Sequence, residues 1–502
     1  MLFNTKAFAF ISLILFEFCY GMDTAVVYCS NEFDTREKEY QLRRNQITKP
    51  AIKQFIGLAP ESDYRLPKIN MCVSGGGVRA ETCAIAFLAS ALQIGLLQAI
   101  SYVSTLSGST WGIIPWMLQK MTPIEYAQIL KQQLQIPFWN SIAKNEPRIN
   151  VSLQNFDFNA CLVTEIWGHL IARRLLDDLE QKYQHQLTFQ DFRDVLAQTN
   201  VYPFPIFATA IGQTGPFYEG LEVTPFSVYS SHLRAGMRTE LFGSIIANGY
   251  CQKLAHEMPL WKFMGTFGSA FSLTEGDLVT NGFMTIFDEL GIENFYFKYI
   301  EPQINKYLAK HNYYAHRCFD YSMPNFTLGM DQCGMNDLPT IDLIDHGIYI
   351  NIPIFPFNRP ERRSDVFVIC DASSDASAQD HTELLKSQIF ARTHGMPFPS
   401  LSKFKVTGKG LKIFYEDNPE IPIVIYVVNP TQISMFKMTY DEATFDSVYL
   451  PMYQILCEPE NIGAIVEAVK FKTSQLNNGQ IPNKFGLLKE GKATSGWWCI
   501  LL

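Results

Sequence analysis

Charge is scarce in this sequence. Only 18% of the 502 residues are Asp, Glu, Lys or Arg, and the balance is acidic: 41 basic against 49 acidic side chains, a formal net charge of -8. A surface so short of cations cannot cover a phosphate backbone, which excludes nucleic acid as the main partner. No repeat of 20 to 50 residues and no low-complexity tract is present, which excludes solenoids and disordered arrays. Eleven cysteines occur but no CxxC pair. The nearest approach to a zinc set, His311, His316 and Cys318, is irregular, so no metal and no cofactor are expected. Cys72, Cys83 and Cys370 lie within apolar segments and read as small core residues. A reducing compartment fits this usage better than a disulfide framework. None of the nine histidines has the spacing of a catalytic triad.

The two termini point in different directions. Near the start, Lys6 precedes the ten-residue apolar run AFAFISLILF, and Cys19-Tyr20-Gly21 supplies small residues for cleavage. Residues 1–21 therefore resemble a secretory signal peptide and are too short to span a membrane; Glu17 argues against it, and a buried helix is the alternative. At the other end, within a tail covering 481–502, the chain stops at CILL. A cysteine, two aliphatics and a terminal leucine match the prenylation pattern at Cys499, with an accidental apolar tail as the alternative. One prenyl chain binds weakly; Lys484, Lys489 and Lys492 with Trp497 and Trp498 would add a second contact to a phospholipid membrane surface. Prenylation implies peripheral attachment in the cytosol, whereas a true signal peptide implies secretion.

Between these ends, residues 22–66 are polar and read as a helical lead-in. KINMCVS reads as a buried strand, AETCAIAFLASALQIGLLQ as a helix, YVSTL as a second strand and GSTWGIIPWMLQKM as the start of another helix. Two strands joined by a helix make a βαβ unit and a parallel sheet. Residues 120–200 are helix-rich and amphipathic, FNACLVTEIWGHLIARRLLDDL being one example. Further strands follow at VYPFPIFATAIG, FYEGLEVTPF, VFVICDAS and IPIVIYVV, and LPTIDLIDHGIYINIPIFPF reads as strand, tight turn, strand. No linker divides these elements. The expected fold is α/β, a mostly parallel central sheet flanked by helices. One catalytic domain spans 40–480, with a helical cap inserted at about 120–200.

Two segments carry chemistry. Strand, SGGGVR and helix form an arrangement that favours an anion, because backbone N–H groups converge at a helix N-terminus. Gly75, Gly77 and Ala80 satisfy the dinucleotide pattern GxGxxA, but that use needs an acid about 20 residues on to hold a ribose. Between Glu81 and Glu125 there is no Asp or Glu. What stands at the end of the second strand is Ser107. A hydroxyl at a strand-to-helix turn is either a helix N-cap or a nucleophile lifted clear of the backbone. In a βαβ unit the glycine loop and Ser107 share one crevice, where loop N–H groups can stabilise an oxyanion.

These motifs, taken together, resemble the cytosolic phospholipase A2 family. SGGGVRA and STLSGSTW are similar to that family's SGGGxRA and GLSGSTW. PFSVYSSHLRAGMRTELFGS, LIDHGIYINIPIFPF and VFVICDASSDAS with MPFPSL follow in the family's order, covering most of residues 66–405. The resemblance implies a serine esterase whose nucleophile, Ser107, is activated by Asp345 without a histidine. It implies an oxyanion hole at Gly76 and Gly77, and a role for Arg79 in holding the lipid phosphate or the loop. The implied activity is calcium-independent hydrolysis of fatty acyl esters of glycerophospholipids, of phospholipase A2 or lysophospholipase type, through an acyl-serine. Thr105 replaces the family's first elbow glycine, and His346 follows the aspartate where a small residue is usual. About 65 residues precede the first strand, too few for a calcium-binding β-sandwich. A catalytically silent, membrane-tethered lipid-binding protein with the same fold is the alternative.

Overall fold

The computed structural model of the protein describes residues 25–29, 33–137, 162–215, 218–268, 321–373, 381–406, 408, 410–435 and 437–492. The apolar run after Lys6, the set His311, His316 and Cys318, and the CILL tail with Cys499 lie outside the described residues. No helix among the described residues is long and apolar enough to cross a membrane.

The chain enters through helix α1 (Thr35–Phe55), capped by Asp34, whose side chain accepts from the Arg36 N–H. Strand β1 (Ile69–Val73) then leads to α2 (Gly77–Gln93), β2 (Ile100–Thr105) and α3 (Gly108–Gln119), the expected βαβ unit. The helical stretch that follows includes α4 (Pro123–Gln135) and α5 (Leu162–Leu175). Strands β3 (Phe204–Ile211) and β4 (Gly220–Val223), helix α6 (Leu260–Phe267), and strands β5 (Thr340–Ile344), β6 (Val366–Asp371) and β7 (Ile423–Val428) complete the frame. Five strands run parallel in the order β3, β2, β1, β6, β7, with antiparallel strands at both margins.

The parallel strands are buried along their whole length because both faces are covered. Alternation sorts their side chains into two cores. Ile69, Met71, Val73, Val366, Val368, Ile423 and Ile425 face the layer that contains α2 and α3. Cys72, Phe367, Ile369, Val424 and Tyr426 face the other. Cys72, Cys83 and Cys370 are fully buried.

One strand decides where the chemistry goes. β2 pairs with β3 only as far as Thr105 opposite Phe207. β4 occupies the opposite edge of β3 over Phe207–Ala210. The edge of β3 that β2 leaves is taken up by β5, antiparallel, with Ile344 opposite Ala210 and Leu343 opposite Ile211. The end of β5 is thereby laid against the end of β2. The segment after β5 corrects the expectation of a second strand in IYINIPIF. It forms two short 3-10 turns, His346–Ile348 and Phe355–Asn358, joined by irregular chain. Pro353 and Pro356 remove ladder donors, so Ile350, Ile352 and Ile354 are buried at alternate positions without a partner strand.

Candidate active site

Ser107 sits at the turn between β2 and α3 with φ 52° and ψ -132°, a left-handed conformation rare for a side-chain-bearing residue. It occupies the N-cap position of α3 but its side chain makes no cap hydrogen bond, which removes the bland explanation for a serine here. The turn is fixed by other groups. The Ser107 N–H donates to the Phe267 carbonyl at 3.0 Å. Ser109 Oγ accepts from the Leu106 N–H at 3.1 Å and lies 3.1 Å from the Val73 carbonyl. Thr105, the departure from the family's elbow glycine, is accommodated: its Oγ1 lies 3.1 Å from Thr110 Oγ1 in the buried turn.

The glycine loop packs against this turn so closely that side chains are excluded. A Cβ on Gly108 would stand 1.9 Å from the Gly77 carbonyl oxygen, and one on Gly75 would stand 2.7 Å from the Ser107 Cβ. Gly76 (φ 134°) and Gly77 (φ 60°) adopt conformations that favour glycine. α2 starts at Gly77 with no capping side chain. The N-termini of α2 and α3 thus converge beside Ser107, where the first N–H groups of a helix lack the usual i−4 acceptor. The required spacing explains why three glycines stand in a row: the loop must turn sharply and touch another backbone.

Asp345 follows β5 and is 1% exposed. Its Oδ1 accepts from the Gly347 N–H at 2.8 Å. Burial raises the carboxyl to about 7, against the Gly347 N–H and the Ser107 hydroxyl, both of which favour the charged form. Ser107 is thus close enough to act on this carboxyl, but among the described residues no hydrogen bond joins the two side chains, and Asp345 Oδ2 has no hydrogen-bond partner. His346 is engaged within its own loop. Burial pushes its imidazole down to about 4, its Nδ1 lies 2.9 Å from the Ile350 carbonyl, and its ring packs on Phe355 at 4.8 Å.

Arg79, for which the resemblance implies a contact to the lipid phosphate or to the loop, is enclosed. The guanidinium is 1% exposed; Nε donates to the Ala372 carbonyl at 2.7 Å and Nη1 donates to the Ile433 carbonyl. These bonds tie the first turn of α2, next to the glycine loop, to the chain just after β6 and to Ile433. The sequence also missed Asn351. Its Oδ1 accepts from the Gly75 N–H at 3.0 Å, and its Nδ2 donates to the Gly75 carbonyl at 3.1 Å and to Ser373 Oγ at 2.6 Å. One amide thus joins the glycine loop, the aspartate loop and the end of β6. The only signal was a lone polar residue inside the apolar run IYINIPIF.

A family model described as the lysophospholipase catalytic domain matches residues 69–405. The chain belongs to the lysophospholipase catalytic-domain family. The match begins at β1 and runs past β6, so it takes in the glycine loop, the turn at Ser107 and the Asp345 loop, while the segment at Met435 that packs on Gly77 lies beyond it. Human cytosolic phospholipase A2 zeta is 28% identical over 49% of this chain and 30% of its own length. Human cytosolic phospholipase A2 epsilon is 23% identical over 89% of this chain and 61% of its own. The chain thus spans less than two thirds of these relatives. The solved structure of human GIVD cytosolic phospholipase A2 superposes with a TM-score of 0.70, covering 90% of this chain and 66% of that one at 18% identity. The expected α/β architecture is this shared fold.

Proposed function

We propose that the protein is a serine esterase that cleaves fatty acyl esters of glycerophospholipids, of phospholipase A2 or lysophospholipase type, by a Ser107–Asp345 dyad. The observation that carries this reading is the strained Ser107 turn, free of any capping duty and packed against the glycine loop. Ser107 Oγ attacks the ester carbonyl and Asp345 takes its proton. A carboxyl raised to about 7 is a far better base than an ordinary one near neutral pH. The N–H groups of Gly76 and Gly77 at the start of α2 receive the oxyanion. The proton passes to the leaving lysolipid or glycerol oxygen, an acyl-serine remains, and water attacks it by the reverse route to release the fatty acid. Arg79 and Asn351 hold the loop that presents the donors.

The substrate arrives at a membrane surface, and we assign the chain a peripheral attachment there, Cys499 carrying the lipid and the terminal lysines a second contact. Mass spectrometry of both termini from the native source tests this. An unmodified Cys499 would remove the anchor, and an amino terminus beginning after Gly21 would replace it with export.

Activity is tested on labelled phosphatidylcholine and lysophosphatidylcholine vesicles in the presence of a calcium chelator. Ser107→Ala and Asp345→Asn should each reduce turnover by ~10³-fold or more, as for members of a catalytic unit. Retained activity in either variant sinks the dyad. A fluorophosphonate probe separates the enzyme from a silent lipid binder: the wild type should be labelled at Ser107, and an unlabelled but folded, lipid-binding protein would establish the silent alternative.

A further inference from the structure

Cys29 and Cys333 do not behave like the cysteines of the central strands. They stand 304 positions apart in the chain, yet their sulfurs are 2.8 Å apart, within an ångström of the covalent S–S length of about 2.05 Å. Both backbones are registered to one short stretch of sheet. Cys29 follows the strand Val27–Tyr28, which pairs antiparallel with Ala235–Arg238, Tyr28 lying opposite Gly236. The Val26 N–H donates to the Gly249 carbonyl at 2.8 Å. On the other side, the Gly334 N–H donates to the Leu233 carbonyl at 2.9 Å, and a Cβ on Gly334 would stand 2.6 Å from the His232 carbonyl oxygen. Residues 232–237 therefore act as a common jig that sets the two sulfurs face to face. Cys29 is half-buried; Cys333 is 4% exposed.

We propose that Cys29 and Cys333 are a disulfide-forming pair, closing in an oxidising environment to fasten the start of the chain to the segment that leads into β5 and Asp345. The more accessible partner reacts first. The Cys29 thiolate attacks a small disulfide oxidant such as glutathione disulfide, forms a mixed disulfide and expels one thiolate. The Cys333 sulfur, on losing its proton, attacks the Cys29 sulfur and expels the second. Two electrons pass to the oxidant, which leaves as two thiols carrying both protons. Burial and the neighbouring sulfur raise the Cys333 thiol to about 12, so the order of reaction is set by Cys29. The pair also bears on compartment, because such a bond persists where thiols are not kept reduced.

The test uses the folded, reduced full-length chain, incubated with glutathione disulfide, alkylated without reductant and digested. A linked Cys29–Cys333 peptide pair is expected, with two fewer titratable thiols. Closure of so long a loop should raise the Tm by ~5 °C, reversibly with dithiothreitol. Cys29→Ser should show no such rise. Overturning results are alkylation of both cysteines, separate glutathione adducts on each, or linkage to other cysteines. The peptide map of the wild type decides the matter even if the variant folds poorly.

Discussion

Gly108 shows how little room the reacting atoms are given. Any side chain there would collide with the Gly77 carbonyl, and a displacement of about 1 Å in such a site costs on the order of 10²-fold in rate. Gly108→Ala should therefore lower kcat by ~10²-fold or more while circular dichroism still reports a folded chain. Asn351→Ala removes the amide that grips both polar groups of Gly75. The expected outcome in steady-state kinetics is a kcat reduced by ~10- to 100-fold with KM nearly unchanged, because the donors are displaced and the lipid pocket is not. In the proposed dyad, Asp345 sets the acid limb of the pH profile. Its carboxyl must be ionised to accept the serine proton, and burial holds it at about 7. The rate constant for acylation should rise with pH to half its maximum near 7 and level above it, as read from single-turnover release of a labelled lysolipid. A limb centred near 4 would show that burial does not govern the base.

At the scale of elements, a buried ion network locks the N-terminal helix to the sheet and to the chain beyond Asp345. Arg362 Nε and Nη2 donate to both oxygens of Glu37 at 2.7 Å, and its Nη1 lies 2.8 Å from Glu222 on β4. Arg359 Nη1 donates to Glu222 Oε1 at 2.7 Å, and its guanidinium lies over Phe33 and Tyr229. Replacing a network with apolar groups throughout can be neutral, but removing one member leaves charges stranded in a dry interior. Arg362→Met should cost ~3–5 kcal/mol of unfolding free energy, measured from urea titrations, and the triple change with Glu37→Gln and Glu222→Gln should recover part of it. Nothing in the sequence announced this network. Arg359, Arg362 and Glu222 are ordinary charged residues in the one-dimensional pattern, and only the meeting of α1, β4 and the loop after β5 makes them partners.

For the whole molecule, the core contains a titratable group that the site does not use. Glu81 on α2 is fully buried, and burial raises its carboxyl to about 8, with Arg174 opposing. The unfolded chain releases this proton near the usual 4.5 while the folded chain keeps it to about 8. The unfolded state thus binds fewer protons in that window, and stability falls as pH rises through it. Glu81→Gln should remove this component: in calorimetry the variant's Tm should fall less than the wild type's between pH 5 and pH 8. An identical decline in both would mean that Glu81 ionises freely in the fold.

Much of this architecture was legible because the signals are local. Buried parallel strands read as unbroken apolar runs, glycines mark where backbones must touch, and the serine between small residues marks the turn. From those alone β1, α2, β2 and α3, the glycine loop and the turn at Ser107 could be named; Asp345 and the oxyanion role of Gly76 and Gly77 came only with the family resemblance. Their convergence could not be derived from spacing, since nothing local records that β5 continues the edge of β3 where β2 ends. The tertiary structure also encloses Arg79, and it joins Asn351 to the glycine loop, which composition cannot show. It raised the Asp345 carboxyl toward neutral pH as well, because desolvation depends on how many chain segments close around a group, and only the folded molecule counts them.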